Sequence, residues 1–166
     1  MRDATEPPGD LRLERRPPTV AELRALNGAV GWTDLPRNDD AVARGLAASL
    51  FGVVLLSADG VVAGCARVVG DGGVYFYVQD LIVAPSLQGH GLGGLLLDEV
   101  FAYLEREAPA GATVGLMTAE GKAGFYARRG WAPRPDDGPG MTLAWAPRAV
   151  AEPQTPASTS RTPPEP

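Results

Sequence analysis

The sequence predicts an α+β fold, in which a mixed, mostly antiparallel β-sheet is flanked by helices. Two observations support this prediction. Apolar, β-branched runs at residues 51–57, 61–69 and 74–83 follow one another through tight turns, which predicts an antiparallel meander. Beyond Pro85 the apolar residues recur at helical spacing until Pro109, so a long helix is expected to follow the strands.

Two shorter helices are predicted before the meander. Thr19 precedes apolar residues at helical spacing and is a good N-cap, so a helix is expected to begin directly after it. Asp39 or Asp40 is expected to cap a second helix that runs to about Ser49. A short first strand over residues 11–14 precedes both helices.

Three short elements are predicted after the long helix. Residues 113–117 and 141–145 have the composition of strands, and residues 120–129 that of a short helix that Gly130 ends. A meander followed by a strand, helix and strand crossover favours one mixed sheet.

One domain is expected, over residues 11–146. The chain has 166 residues, of which 45% are hydrophobic, and this is enough to fill one ordinary core. Residues 1–10 are polar, and residues 147–166 are rich in Pro, Ser and Thr with almost no large apolar side chains. We expect both ends to be disordered.

The composition also restricts the class of partner. The formal net charge is -5 and the basic residues form no run, so a cationic small molecule is a better candidate partner than a nucleic acid. The sequence has neither an apolar stretch of the roughly 20 residues that span a bilayer nor a signal-peptide core, so a soluble, cytoplasmic protein without a membrane partner is expected. Because Cys65 and His90 are the sole cysteine and histidine, a disulfide and a thiolate metal cluster are excluded, and no metal is expected.

The chemistry-bearing motif is QGHGLG, residues 88–93, which joins a predicted strand to the long helix. The first N–H groups of a helix lack internal partners and carry the positive end of the helix dipole, so they can bind a phosphate. Glycine at positions 89, 91 and 93 lets phosphate oxygens approach the main chain without meeting a Cβ atom. An anion-binding turn is therefore predicted here.

Two nucleotide-binding motifs also combine glycines with the start of a helix and have to be compared with this loop. Gly89, Gly91 and Gly94 satisfy G-x-G-x-x-G, the dinucleotide fingerprint, with Glu120 in the place of its distant ribose-binding acid. That fingerprint requires a tight turn straight after the strand and several βαβ repeats, whereas residues 84–88 intervene and a meander precedes. The P-loop pattern is absent. A dinucleotide-binding oxidoreductase stays the less favoured alternative.

The same loop resembles the Q/R-x-x-G-x-G/A motif of the GNAT N-acetyltransferases, which also lies between a strand and a long helix. Residues 125–131, FYARRGW, resemble the F-Y-x-x-x-G-F signature near the end of those domains. Together with Gly31-Trp32 and residues 124–141, the loop resembles the plastid-type and bacterial aralkylamine acetyltransferase subgroup. The resemblance covers residues 11–146 and implies the GNAT fold.

The resemblance implies acetyl-coenzyme A as the cosubstrate. It assigns the coenzyme A pyrophosphate to the main chain of the loop at Gln88, Gly89, His90, Gly91, Leu92, Gly93 and Gly94. It assigns the pantetheine arm to the main chain of Leu81, Ile82 and Val83. The side chain of His90 is expected to face solvent and is given no chemistry.

The resemblance also implies catalytic roles. Tyr126, which also belongs to the cofactor site, is the expected general acid for the departing thiolate, since a pKa of about 10 keeps a tyrosine protonated at neutral pH. An acceptor amine is mostly protonated in water, so Asp80, Glu120 or water alone must take its proton. Cys65 lies mid-strand without a second histidine to activate it, so no acyl-enzyme is expected. The expected reaction is direct attack on a thioester that is polarised by a backbone N–H where the sheet opens near Val83.

The expected acceptor is a small primary amine with an aromatic or apolar body, such as an arylalkylamine. Six residues are candidates for the lining of its pocket: Trp32, Tyr75, Tyr77, Trp131, Met141 and Trp145. Peptide or protein acceptors stay open, as does a non-catalytic module of the same fold that binds or senses coenzyme A. The protein is expected to be a monomer or a homodimer.

Overall fold

The computed structural model of the chain describes residues 9–32 and 35–134. The predicted strand at 141–145 lies outside the described residues, as do almost all of the N-terminal segment and the whole C-terminal segment that were predicted to be disordered. The chain forms two compact units that meet in sequence at Glu120 and Gly121, and each is described by itself.

The first unit is built on a five-stranded sheet in which the strands lie in chain order. The strands are β1 Arg12–Glu14, β2 Phe51–Leu56, β3 Val62–Gly70, β4 Tyr75–Val83 and β5 Thr113–Gly115. Neighbours from β1 to β4 are antiparallel, whereas β5 pairs parallel with β4. The predicted meander and the predicted mixed sheet are both confirmed.

The described part of this unit contains three α-helices. They are α1 Val20–Val30, α2 Asp39–Ala47 and α3 Leu92–Glu107, and a 3-10 turn over Pro85–Leu87 precedes α3. None of the helices in the described ranges is both long and apolar enough to cross a bilayer.

The caps of the first two helices differ in how well the sequence predicts them. Thr19 caps α1 through a complete capping box, as predicted. The prediction that Asp39 or Asp40 caps α2 is wrong: the side chain of Asn38 accepts from the N–H of Ala41. Asn38 has the extended backbone that a cap requires, whereas the two aspartates already lie in the first helical turn.

Helices cover both faces of the sheet. On one face, side chains from α1 and α2 pack with Cys65 of β3 and Ile82 of β4 in a buried apolar cluster. On the other face α3 lies so close to the sheet that a Cβ atom at Gly64 would be 3.2 Å from Leu96. Since successive strand residues point to opposite faces, Gly64 and Cys65 mark the two sides of a three-layer arrangement.

The second unit contains α4, Ala123–Ala127. The prediction that Glu120 begins this helix is wrong, because Gly121 has a φ of 70° and so breaks the helical conformation after Glu120. The helix ends at Ala127 rather than at the predicted Arg129, and Gly130 follows with a φ of 87°.

Candidate functional site

The segment of residues 88–94, called the glycine loop below, follows the 3-10 turn that comes after β4 and runs into the first residues of α3. Gly89 and Gly91 have φ angles of 83° and 81°, in the left-handed region that favours glycine. Gly91 is the N-cap of α3, and its carbonyl accepts from the N–H groups of Gly94 at 2.9 Å and Leu95 at 3.1 Å. The N–H groups of residues 92 and 93 therefore lie ahead of the helical hydrogen bonds.

The start of α3 differs from the starts of α1 and α2. Side chains of Thr19 and Asn38 cap those two helices, whereas no side chain among the described residues caps α3. A Cβ atom built at Gly89 or Gly91 meets no atom of the described residues within 4 Å apart from its chain neighbours, so these residues leave the space in front of the loop open. The first turn of a 16-residue helix thus presents main-chain donors and the positive end of a dipole to that space.

Two side chains of the glycine loop contact the preceding segment. The amide Nε2 of Gln88 donates to the carbonyl of Val83 at 2.9 Å, a side-chain contact that the sequence did not predict. The exposed ring of His90 places Nδ1 at 3.3 Å from the carbonyl of Leu87. Gln88 therefore joins the glycine loop to the last residue of β4.

The strand β4 contains a β-bulge at Asp80. Arg67 of β3 lies opposite Gln79, but Cys65 lies opposite Ile82, so one residue of β3 faces two residues of β4. Asp80 has a φ of 53° and is the sole non-glycine residue with a positive φ in the described ranges.

The pairing of β4 with β5 ends at Tyr77, where β5 itself ends. The register of β5 covers β4 from Tyr75 to Tyr77, and the described residues provide no strand partner on this side for the rest of β4. The N–H of Ala84 donates to the carbonyl of Ala63 in β3 at 2.9 Å. Since main-chain groups alternate in direction along a strand, those of Val83 point away from β3 to the open edge, where Gln88 meets its carbonyl.

The structure places Asp80 in a buried ion pair. Oδ2 accepts from Nε of Arg67 at 2.6 Å, and Oδ1 accepts from Nε2 of Gln79 at 3.0 Å. The exposed fractions of the two ion-paired side chains are 12% for Arg67 and 7% for Asp80. The predicted base therefore has both oxygens engaged, and its partner Arg67 was not predicted from the sequence.

Cys65 lies below the same bulge. Its Sγ is 3.2 Å from the carbonyl of Asp80, to which the thiol donates. Burial, with the Asp80 charge as a smaller cause, raises the pKa of the Cys65 thiol well above its usual range. The thiolate that a nucleophile requires is therefore disfavoured.

The other two candidate catalytic residues differ in exposure. Glu120 is exposed, in the turn before Gly121. Tyr126 of the second unit is buried on α4, with the rings of Phe125 and Trp131 edge-on at centroid distances of 4.9 and 6.3 Å. Burial raises the pKa of Tyr126, so the phenol stays protonated at neutral pH.

Only some of the residues predicted to line the acceptor pocket lie within the described ranges. Tyr75 and Trp32 are exposed, and Tyr77 is half-buried with its ring over Gly115. Met141 and Trp145 lie outside the described residues. A cavity of about 190 Å³ is lined by Leu23, Leu35, Pro36, Ala41, Val42, Gly45, Leu46 and Arg67. That lining is aliphatic apart from Arg67 and includes none of the predicted aromatic residues.

Comparison with known proteins identifies the family. The model of the acetyltransferase (GNAT) domain matches residues 49–133, which is half of the chain and includes the β4 bulge, the glycine loop and α4. The chain belongs to the GNAT acetyltransferase family, and the predicted α+β GNAT fold and acetyltransferase class are confirmed.

Named relatives agree with this class. An uncharacterised N-acetyltransferase, ycf52 of Pyropia yezoensis, is 28% identical over 128 residues, which are 76% of this chain and 71% of the relative. A GNAT family acetyltransferase from Streptococcus pneumoniae is 30% identical with a TM-score of 0.64, over 83% of this chain and 98% of that one. A Staphylococcus aureus protein described as a probable acetyltransferase is 27% identical with a TM-score of 0.74, over 81% and 99% of the two chains.

Proposed function

We propose that this GNAT acetyltransferase moves the acetyl group of acetyl-coenzyme A to a small primary amine by direct attack on the thioester. The observation that carries the proposal is the uncapped start of α3, which lies next in the chain to the open edge of β4. N-acetylglutamate synthase from Neisseria gonorrhoeae, whose structure holds coenzyme A and L-arginine, shares the fold at a TM-score of 0.56 and 17% identity.

The glycine loop is proposed to hold the pyrophosphate. Its main-chain N–H groups at residues 92 and 93 precede the helical ladder, and the open space at Gly89 and Gly91 admits phosphate oxygens. An anion there is stabilised by hydrogen bonds and by the helix dipole together. The residues present therefore fit a coenzyme A pyrophosphate, with His90 and Leu92 also contributing main chain. The N–H groups of Gln88 and Gly94, which were predicted to take part, already donate to the carbonyls of Pro85 and Gly91.

The segment Leu81–Val83 is proposed to pair with the pantetheine arm. This arm carries amide groups, which hydrogen-bond to an open strand edge as another strand would. The Val83 carbonyl already accepts from Gln88, so its N–H is the more available of the two groups. A backbone N–H of the same segment is proposed to polarise the thioester carbonyl.

The proposed chemistry is a single acyl transfer. The amine nitrogen attacks the carbonyl carbon, the C–S bond breaks, and the thiolate takes the proton of the Tyr126 hydroxyl. Burial of Tyr126 supports this role because it keeps the proton in place until negative charge develops on sulfur. Positioning of the two reactants can supply about 7–11 kcal/mol of the barrier, so no acyl-enzyme is required.

The amine must also lose a proton, and the predicted candidates for taking it are Asp80, Glu120 and water. Both oxygens of Asp80 are engaged by Arg67 and Gln79, so we assign Asp80 a positioning role and leave Glu120 or water as the base. Glu120 is exposed to solvent. Glu120→Gln separates the two, since loss of a side-chain base moves the acidic limb of the kcat–pH profile.

The proposed acceptor is an arylalkylamine. Tyr75 and Tyr77 lie on the face of β4 that also carries the Asp80 carboxylate, because they alternate with Phe76 and share the side of Gln79. Aromatic side chains suit the apolar body of such an amine and can hold its ammonium group over their rings. Neither feature discriminates strongly against a peptide, which is the second candidate acceptor.

The deciding experiment compares kcat/KM for tryptamine, a polyamine, an amino sugar and a short peptide, by release of the coenzyme A thiol. We expect tryptamine to give the highest value. If the peptide or the sugar leads by about tenfold or more, the acceptor assignment fails and the acetyltransferase assignment stands.

A further inference from the structure

The bulge in β4 depends on one residue in an unfavourable conformation. Asp80 is buried and has a φ of 53°, a region that residues with a Cβ atom rarely adopt, although aspartate tolerates it better than most. Glycine is the usual solution at such a position, as at Gly89 and Gly91 of the same unit. Contacts from the surrounding structure must therefore keep Asp80 in this left-handed conformation.

Arg67 supplies the strongest of these contacts. Its Nε donates to Oδ2 of Asp80 at 2.6 Å, while Nη1 donates to Oγ of Ser49 at 2.9 Å and to the carbonyl of Gly45 at 3.4 Å. One guanidinium thus connects the bulge to α2 and to the residues that follow it. Lysine cannot reproduce this arrangement, since its ammonium is a single point of charge.

The bulge determines which main-chain groups β4 presents at its open edge. If the pairing of Arg67 with Gln79 continued without the extra residue, Val83 would lie opposite Ala63. That is the present place of Ala84, whose N–H donates to the Ala63 carbonyl. Without the bulge, the N–H of Val83 would bond to β3, and the open edge would lose it.

We infer that Arg67 is a positioning residue for acetyl transfer, which fixes Asp80 in the left-handed conformation and thereby directs the Val83 main chain to the acetyl-pantetheine arm. This inference rests on the proposed function. Arg67 touches neither the glycine loop nor the reacting atoms in this account, so its removal should affect the arm of the cosubstrate and spare the pyrophosphate site.

The test uses Arg67→Met, the double variant Arg67→Met/Asp80→Gly, and Arg15→Met as the control. Glycine at position 80 adopts a positive φ without strain and leaves no buried carboxylate unpaired, so the double variant retains the bulge without the ion pair. Arg15 forms an exposed ion pair with Glu99 in the same unit, and its loss controls for removal of a cation.

Two ligands distinguish a misplaced Val83 main chain from a loss of structure across the whole cofactor site. Acetyl-coenzyme A has the arm, whereas 3′-phosphoadenosine 5′-diphosphate has the pyrophosphate without it. We expect Arg67→Met to lower kcat/KM for acetyl-coenzyme A by about 100-fold, the scale of a misplaced reacting group, and to leave the Kd of the fragment within about threefold. The double variant should recover to within about tenfold of the parent, and Arg15→Met should match the parent.

Three results with the variants would overturn the inference and leave the proposed function standing. They are an Arg67→Met enzyme with parental kcat/KM, an equal loss of affinity for both ligands, and a double variant that stays folded but does not recover. If Arg67→Met fails to fold, the kcat/KM of the double variant alone tests the inference. The double variant should still fold, because it does not contain an unpaired Asp80 carboxylate in the interior. A parent protein that does not bind coenzyme A would overturn the proposed function, and this inference with it.

Discussion

The side-chain amide of Gln88 lies 2.9 Å from the carbonyl of Val83 and donates a hydrogen bond to it. This contact joins the residue that opens the glycine loop to the residue that ends β4. The two parts of the proposed cofactor site, one for the pyrophosphate and one for the arm, are thereby held together by a single side chain.

Substitutions at Gln88 should rank in a defined order. Gln88→Met keeps the length but removes the donor, and we expect about a fivefold loss of coenzyme A affinity, equivalent to about 1 kcal/mol for one hydrogen bond. Gln88→Glu places a carboxylate against the Val83 carbonyl and adds negative charge near the pyrophosphate, so its loss should be larger. Calorimetric titration with coenzyme A measures both, and equal affinities in all three proteins would refute the linking role.

Gly91→Ala should weaken coenzyme A binding by at least about tenfold, because alanine resists the φ of 81° and adds a Cβ atom where phosphate must approach. Gly111→Ala is the matched control, since Gly111 has a φ of 87°, is exposed and meets no other atom within 4 Å. Both changes carry the same kind of backbone strain, so their melting temperatures should fall by similar amounts. An affinity that falls equally in both variants would mean that strain alone is responsible.

Tyr126→Phe should lower kcat by about 10- to 1000-fold with little change in coenzyme A affinity, the range typical of a lost general acid. Tyr103→Phe is the control, because Tyr103 is also buried but stacks on Phe51 at 4.8 Å, on the other unit. An unchanged kcat at saturating substrates would remove Tyr126 from the mechanism.

The pH dependence of the parent enzyme tests the same residue in a different way. Burial favours the neutral phenol and so raises the pKa of Tyr126, which means that the acid is lost only as the pH rises past that raised value. We expect kcat to show no decline between pH 7 and about 10. A decline that begins near neutral pH and is absent from Tyr126→Phe would contradict the assigned pKa direction.

Cys65 should be chemically silent in the native protein. Burial raises the pKa of its thiol, so the reactive thiolate is scarce and shielded. Iodoacetamide at pH 8 should leave the intact mass unchanged, whereas the denatured protein should gain one carbamidomethyl group. Cys65→Ala should retain kcat within about threefold, and an inactive but folded variant would argue for an acyl-enzyme.

The elements of the fold could be predicted from the sequence because each has a local signal. The meander follows from β-branched runs and turns, α1 from Thr19, and α3 from the spacing of its apolar residues. The cap of α2 could not be chosen among neighbouring capping residues, since Asn38 and Asp39 have similar preferences. The start of α4 was missed because Gly121 breaks a pattern that otherwise suits a helix.

Only those parts of the site that are formed by residues adjacent in sequence could be predicted. The glycine loop is continuous in sequence, and its positive φ angles agree with its glycines. The β4 bulge has no such signal, because Asp80 is held by Arg67, 13 residues away in the chain, and by the register of β3. The Gln88 contact likewise depends on the path of the chain between β4 and α3 rather than on any pattern of residue types.

A crystal structure of the protein with coenzyme A is the most decisive test of the proposed cofactor site. We predict that the pyrophosphate oxygens lie within hydrogen-bond distance of the main-chain N–H groups of residues 89–93, and that the pantetheine amides pair with Leu81–Val83. A pyrophosphate bound elsewhere, or an arm that does not meet the open edge of β4, would contradict it.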